Sequence, residues 1–289
     1  MLSHIKFVFK SLIIILAFLV LGLTPIKYCH SDINSAIDKV LSSGHRSNTN
    51  KARDKFRNPK QTLKFFGLRE NLSVLEITPG RGWYTEILAP LMKSKGTLYV
   101  ANYDLSDNLA PNKQFSERYL SLLKRVDDTY RDKLAKNPSL YSTINYVTFN
   151  PKNPVFDLNE IVDLVLTFRN VHNWASAGTT QVIFESFFNS LKSGGVLGIV
   201  EHRAKPKTAL KKQLKSGYMT EQYVIDIAKK VGFVFVARSE INKNPKDTTN
   251  HPRGVWTLLP IQRGLNEGEK IEYGKIGESD RMTLKFTKP

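Results

Sequence analysis

Residues Ser73 to Glu86 read SVLEITPGRGWYTE. The apolar run Val74-Leu75-Glu76-Ile77 stops at a turn holding Pro79, Gly80 and Gly82, and helix-compatible sequence follows. A strand, a glycine turn and a helix in that order form a place where a ligand can meet bare backbone. Glycine puts no Cβ in the way, and the helix N-terminus offers N–H groups. A dinucleotide fingerprint, G-x-G-x-x-G, would need Gly or Ala where Thr85 stands. Glu76, an acid at the tip of the run, suits a ligand that carries an ammonium group.

The pattern continues outward from this stretch. Apolar, β-rich runs lie at Ser73–Ile77, Thr97–Ala101, Tyr146–Phe149, Ile161–Phe168 and Val196–Val200. Most are apolar throughout, as parallel strands covered on both faces should be. Gln181–Leu191 places Ile183, Phe184, Phe187, Phe188 and Leu191 on one helical face, with Gly194-Gly195 ending it. Thr220 caps a second helix carrying Val224, Ile227, Ala228 and Val231, closed by Gly232. Two late runs, Phe233–Ala237 and Val255–Leu259, are joined by a polar loop and are expected to pair antiparallel. The sum is an α/β chain: a Rossmann-like, doubly wound, mostly parallel seven-stranded sheet with an antiparallel terminal strand. Asp104 to Asn145 is long for one crossover, and Phe115–Leu134 reads as a helix within it. Such an insertion is either a lid over the ligand end or an ordinary packed helix.

The chain has 289 residues and a net charge of +17, which favours anionic partners: a membrane surface, an acidic polymer or an acidic substrate. Residues 32–70 read as basic helices, with Asn58 capping a helix that starts at Pro59. Lys51, Arg53, Lys55, Arg57, Lys60 and Lys64 read as a solvated face. They lack the interleaved aromatics of a nucleic-acid groove, so nucleic acid is not the expected partner. Lys6 and Lys10 precede the charge-free stretch Ser11–Leu23, which Pro25 follows. This reads as a secretory signal peptide cleaved after Ser31, giving an exported, periplasmic or envelope-associated protein; an uncleaved membrane anchor is the alternative. Cleavage removes Cys29, the sole cysteine, and with it any thiol nucleophile, thiolate ligand or disulfide. The expected layout is a signal segment at 1–31, a helical segment at 32–70, the main domain at 71–260 with an insertion at 105–145, and a tail at 261–289 packed on it.

Several segments together resemble the class I S-adenosylmethionine-dependent methyltransferases. Val74-Leu-Glu-Ile-Thr-Pro-Gly-Arg-Gly82 is similar to their first motif, hydrophobic-hydrophobic-acid-x-G-x-G-x-G, with Thr78 in place of the first glycine. Asp163–Phe168 followed by Arg169-Asn170-Val-His-Asn-Trp174 resembles the fourth motif, and Leu191-Lys-Ser-Gly-Gly-Val-Leu-Gly-Ile-Val200 the fifth. The resemblance covers about residues 71–260 and extends to a group of exported proteins of unknown substrate. The Asn-Pro-Pro-Tyr signature of nucleobase amino-group methylation is absent.

The resemblance implies S-adenosylmethionine as cofactor. Glu76, Gly80 and Gly82 would face its methionine part. An acid after the second strand would hold the ribose; counting puts Asn102 at that position and Asp104 two beyond, and the acid is preferred. Phe149 and Asn150 would flank adenine, and Arg169 and Asn170 would border cofactor and substrate. His172 and His202, just past the fourth and fifth strands, are the candidate bases. Arg169, Arg203 and Arg238 form a candidate anion-binding rim, with Trp174 and Tyr218 as further substrate contacts. The expected acceptor is an acidic small molecule or lipid headgroup. The alternative for the arginines is that they pair with Glu201, Glu240 and Asp247. His45, His172, His202 and His251 show no metal-ligand spacing. The competing function is a non-catalytic binding or assembly protein of the envelope on a methyltransferase scaffold.

Overall fold

The computed structural model describes residues 33–105, 115–156 and 158–289. The signal segment and its cleavage site lie outside the described residues. Among the described residues no helix is long and apolar enough to cross a membrane.

Four helices come first: α1 (Ile33–Ser42), α2 (Asn48–Lys51), α3 (Asp54–Arg57) and α4 (Pro59–Phe66). Pro59 opens α4 as expected, but the Asn58 side chain does not cap it and instead donates to the Ile241 carbonyl at 2.7 Å. The sheet begins with β1 (Ser73–Ile77), α5 (Thr85–Met92), β2 (Thr97–Tyr103), α6 (Glu117–Ala135), α7 (Pro138–Tyr141) and β3 (Ile144–Phe149). It continues with β4 (Val162–Phe168), α8 (Val171–Ala177), α9 (Thr180–Ser190), β5 (Leu191–His202), α10 (Leu210–Ser216), α11 (Glu221–Val231) and β6 (Val234–Ser239). A 3-10 turn at Gly254–Thr257, α12 (Glu267–Ile276) and β7 (Arg281–Thr287) complete the chain. The seven strands lie in the order β3-β2-β1-β4-β5-β7-β6, and β7 alone runs antiparallel to its neighbours.

Neighbouring residues on a strand point to opposite faces. Leu75, Ile77, Val165, Leu197 and Ile199 enter a core with Trp174, Phe184 and Phe187. Val74, Val100, Leu164 and Leu166 enter a second core with Phe66, Ile87 and Leu88 on the other face. Both faces are covered, which is why the strand sequences do not alternate. Gly198 in β5 makes room for this arrangement, since a Cβ there would lie 2.6 Å from the Phe66 ring.

Two expectations are corrected. Val255–Leu259 is not a strand. Its first residues form the 3-10 turn, and Val255 packs with Ala204 and Tyr218 in a small separate core. The antiparallel strand is β7, formed by the last residues of the chain. Its sequence, RMTLKFT, alternates like a half-exposed strand, yet Met282, Thr283, Leu284 and Phe286 are all fully buried. Likewise Gly194 and Gly195 lie inside β5 rather than ending α9, which stops at Ser190. If β7 is core rather than tail, Leu284→Ala will lower the unfolding free energy in urea by about 2–5 kcal/mol. Ile271→Ala, on the exposed side of α12, will change it by no more than about 0.5 kcal/mol.

Candidate functional site

The strand order reverses between β1 and β4, and ligands bind such sheets in the crevice at that point. A cavity of about 160 Å³ lies there, lined by Thr78 and Gly80 from the glycine turn, Asn102 from β2, Asn170 after β4, and Tyr119 and Asp127 from α6. Gly80 sits at φ 60° with open space where a Cβ would stand. Thr78, in the motif's first glycine position, is held at φ 43°, a conformation that favours glycine. Its Oγ1 is buried without a hydrogen-bond partner among the described residues. Asn170 Nδ2 donates to the Ile77 and Thr78 carbonyls at 3.2 and 3.3 Å, tying the end of β4 to the glycine turn.

Of the two residues considered for the ribose, Asn102 lines the cavity and Asp104 does not. Asn102 donates to Asp127 Oδ1 at 2.7 Å, and this carboxylate of α6 also lines the cavity. Asp104 is exposed and does not line the cavity. Asn150 is also exposed, its side chain accepting from the Lys152 N–H in a turn, and Phe149 is buried in the core.

The second glycine faces protein instead of the cavity. A Cβ on Gly82 would meet the Tyr130 ring of α6 at 2.8 Å. Lys133 of α6 reaches the Gly82 carbonyl at 3.2 Å and Glu86 at 2.9 Å. Glu86 also accepts from Arg46 and Asn50, so one carboxylate joins α5, α6 and the N-terminal helices. Glu76 is buried and accepts from Thr85 Oγ1 at 2.7 Å. Burial pushes its carboxyl up to about 7, against the pull of the Thr85 hydroxyl and of Lys133.

His172 and His202, separated in sequence, converge with ring centroids 5.2 Å apart. Glu201, fully buried between them, accepts from His172 Nδ1 at 3.1 Å and from the His172 and His202 backbone N–H groups at 3.2 and 2.7 Å. His202 Nδ1 pairs with the Ser279 hydroxyl. Burial, then the charges of His172, Arg169, Arg281 and Arg57, hold the His202 imidazole well below its usual range, so it is neutral at pH 7. Ligand atoms of His172, Glu201 and His202 lie within 4.8 Å of one another, a grouping the linear spacing did not reveal. The arginines around them make a poor setting for a metal cation.

The expected anion rim is redrawn. Arg203 and Arg238 do lie together on a groove of about 1040 Å³ at the carboxyl ends of β5 and β6. Their charge is already met. Arg203 pairs with Asp280 at 2.9 Å, Glu240 at 2.6 Å and Glu221 at 3.2 Å, and Arg238 pairs with Glu221 at 2.8 Å. Glu240 is thus a partner as the alternative had it, while Glu201 serves His172 and Asp247 serves Tyr218 and His251. Trp174 and Tyr218 are buried and offer no substrate surface. Trp174 Nε1 donates to the Tyr103 hydroxyl, and the Tyr218 hydroxyl donates to Asp247.

Arg169 differs from those two. It stands at φ 63° directly after β4, and its side chain makes no hydrogen bond or ion pair among the described residues. Burial pulls its guanidinium down to about 10, helped by Arg281 and Arg53 and opposed by Glu278. Near it is a group that sequence reasoning missed. Arg57, read as solvated, is 1% exposed and donates Nε to Glu278 at 3.0 Å, a carboxylate 221 positions away. Arg53 and Arg281 bind the same carboxylate at 2.7 and 3.2 Å. A four-residue helix gives no periodicity from which to tell the inward arginine from its solvated neighbours.

Glu76 yields a pH prediction. Its carboxyl is neutral in the folded chain up to about pH 7 but ionises near 4.5 when unfolded. The folded state therefore holds the extra proton between those values, and stability falls as pH rises through that window. Glu76→Gln removes this loss. Its unfolding free energy relative to wild type will rise by about 3 kcal/mol between pH 4.5 and 8, measured by urea denaturation. Parallel curves would show that Glu76 ionises normally.

No family model and no curated protein matches the chain. Solved structures do. The (4+2)-cyclase SpnF is similar with a TM-score of 0.54 and 13% identity, over 86% of this chain and 86% of that one. Phosphoethanolamine N-methyltransferase 2 of Haemonchus contortus, in complex with S-adenosyl-L-methionine, is similar with a TM-score of 0.51 and 16% identity, over 88% of this chain and 60% of that one. A SAM-dependent methyltransferase from Aquifex aeolicus gives a TM-score of 0.48 at 17% identity, over 72% of this chain and 93% of that one. At such identities the likeness is one of fold. The chain is built on the Rossmann-like fold of the class I S-adenosylmethionine-dependent methyltransferases, a fold that a cyclase also uses.

Proposed function

We propose that this chain is a S-adenosylmethionine-dependent methyltransferase whose acceptor meets His172 and His202. The observation that carries the reading is the switch-point cavity, where Gly80, the unpaired Thr78 hydroxyl, Asn102 and Asn170 converge on the carboxyl ends of β1, β2 and β4. These groups fit the cofactor in kind. Bare backbone at Gly80 suits its close approach, and the Asn102–Asp127 pair suits a ribose diol. The room fits only in part, since 160 Å³ is less than the roughly 300 Å³ at the low end of pockets for ligands of this size. Tyr119 and Asp127 of α6 form one wall, so an outward shift of α6 would enlarge it.

When bound, the cofactor supplies a methyl group already activated on a sulfonium. The chain's part is to orient the acceptor and, where the acceptor is protonated, to remove a proton. With His172 Nδ1 held by Glu201, Nε2 is the atom that would take it. Glu201 fixes the ring and stabilises the imidazolium that forms. His202, kept neutral, adds no charge to oppose that step. The groove beside Arg203 would admit an acceptor of small-molecule or lipid-headgroup size, in keeping with export to the envelope.

Two observations favour a non-catalytic scaffold: Tyr130 fills the space over Gly82, and Glu76 is committed to Thr85. Calorimetric titration of the full chain with S-adenosylmethionine and S-adenosylhomocysteine separates the two readings. The methyltransferase reading expects binding in the micromolar range that Gly80→Leu abolishes, because its side chain would occupy the cavity. An unchanged circular dichroism spectrum would show that the variant is folded. Absence of binding to the folded wild type would sink the methyltransferase reading and leave the scaffold.

A further inference from the structure

Four guanidinium groups, from Arg53, Arg57, Arg169 and Arg281, act on one another's electrostatics beside the two histidines. Glu278 is the carboxylate that meets them, and it bonds three of the four. Glu201, the other buried acid nearby, is committed to His172 and to two backbone N–H groups. Positive charge is therefore in excess in a place largely shielded from water. Two details locate the excess. Arg57 is almost fully buried with its guanidinium over the Trp83 ring at 4.6 Å, and neither its Nη1 nor its Nη2 has a hydrogen-bond partner among the described residues. Arg169, partly open to solvent, has no side-chain hydrogen bond or ion pair among the described residues and is held in a left-handed backbone conformation that a non-glycine residue rarely adopts. Buried N–H groups without an acceptor are costly to a folded chain, and residues held in strained backbone conformations gather at binding sites.

We propose that Arg57 and Arg169 form a binding site for an anionic group, a carboxylate or a phosphate, carried by the molecule that reaches His172 and His202. Arg281 and Arg53, already bonded to Glu278, supply background field rather than contacts. The same field makes the His172, Glu201 and His202 grouping a poor site for a metal ion, while Glu201 offsets it at the His172 ring. The anion site itself stands on these residues alone, while its assignment to a methyl acceptor rests on the proposed function.

The test uses the full chain with inorganic phosphate and acetate as probes, by calorimetry at constant ionic strength. At least one anion should bind. Arg169→Gln should weaken that binding about tenfold or more, the size expected for a lost charged hydrogen bond. Lys275→Gln, on the exposed face of α12, should leave it unchanged. Binding that survives Arg169→Gln, or no binding beyond an ionic-strength effect, would overturn the site. Titrating S-adenosylmethionine against the chain saturated with the probe separates the sources. Simultaneous binding supports an acceptor group. Competition would assign the arginines to the cofactor's own carboxylate and overturn the acceptor assignment. Anion binding without any cofactor binding would keep the site and reject the methyltransferase reading.

Discussion

Glu278 holds together parts of the chain that share no helix or strand. It lies three residues before β7, yet its carboxylate receives Arg53 and Arg57 from the N-terminal helices and Arg281 from β7 itself. Burial alone would raise its pKa; the four nearby arginines more than reverse this and hold it down at about 2. Its contribution to stability is thus present above the ordinary carboxylate range and is lost as pH falls towards 2. Removing one partner of a buried pair costs about 3–5 kcal/mol, since the other charge is left behind. The N-terminal helices are therefore not an appendage: they close one face of the sheet and deliver Arg57 to the candidate site.

β7 depends on the same anchor. It sits between β5 and β6, so β6 reaches the rest of the sheet only through it. Placing β7 also positions Ser279 against His202 and Asp280 against Arg203. The last residues of the chain thus shape both the histidine pair and the neighbouring groove. Sheet order and site geometry are one constraint, because the residues just before β7 are those at the ligand end.

The insertion helix α6 has two halves with different partners. Its C-terminal half packs down, with Tyr130 over Gly82 and Lys133 on Glu86. Its N-terminal half, with Tyr119 and Leu123, faces the cavity, joined by Asp127 just past the middle. The sequence allowed either a lid or a packed helix, and the structure shows the packing of its C-terminal half on α5 and the glycine turn. The carboxylate beside Asn102 comes from this helix as Asp127, which no counting along β2 would find.

What the sequence determined by itself is the local grammar. Unbroken apolar runs with helices between them specify a sheet covered on both faces. The glycine turn after β1 marks the ligand end, and short spacings set His172 just past β4 and His202 at the end of β5. These features were legible because each depends on residues a few positions apart. The tertiary structure decided what depends on long-range partners. RMTLKFT became a central strand because β5 and β6 flank it, although its alternation suits an edge. Arg57 was buried because Glu278, far along the chain, meets it. Arg203 was neutralised by Glu221, Glu240 and Asp280, whereas Arg169 of the same expected rim has no bonded side-chain partner among the described residues. Whether a charged side chain is solvated, paired or waiting for a ligand depends on the charges that folding brings beside it, and linear spacing does not encode that distance.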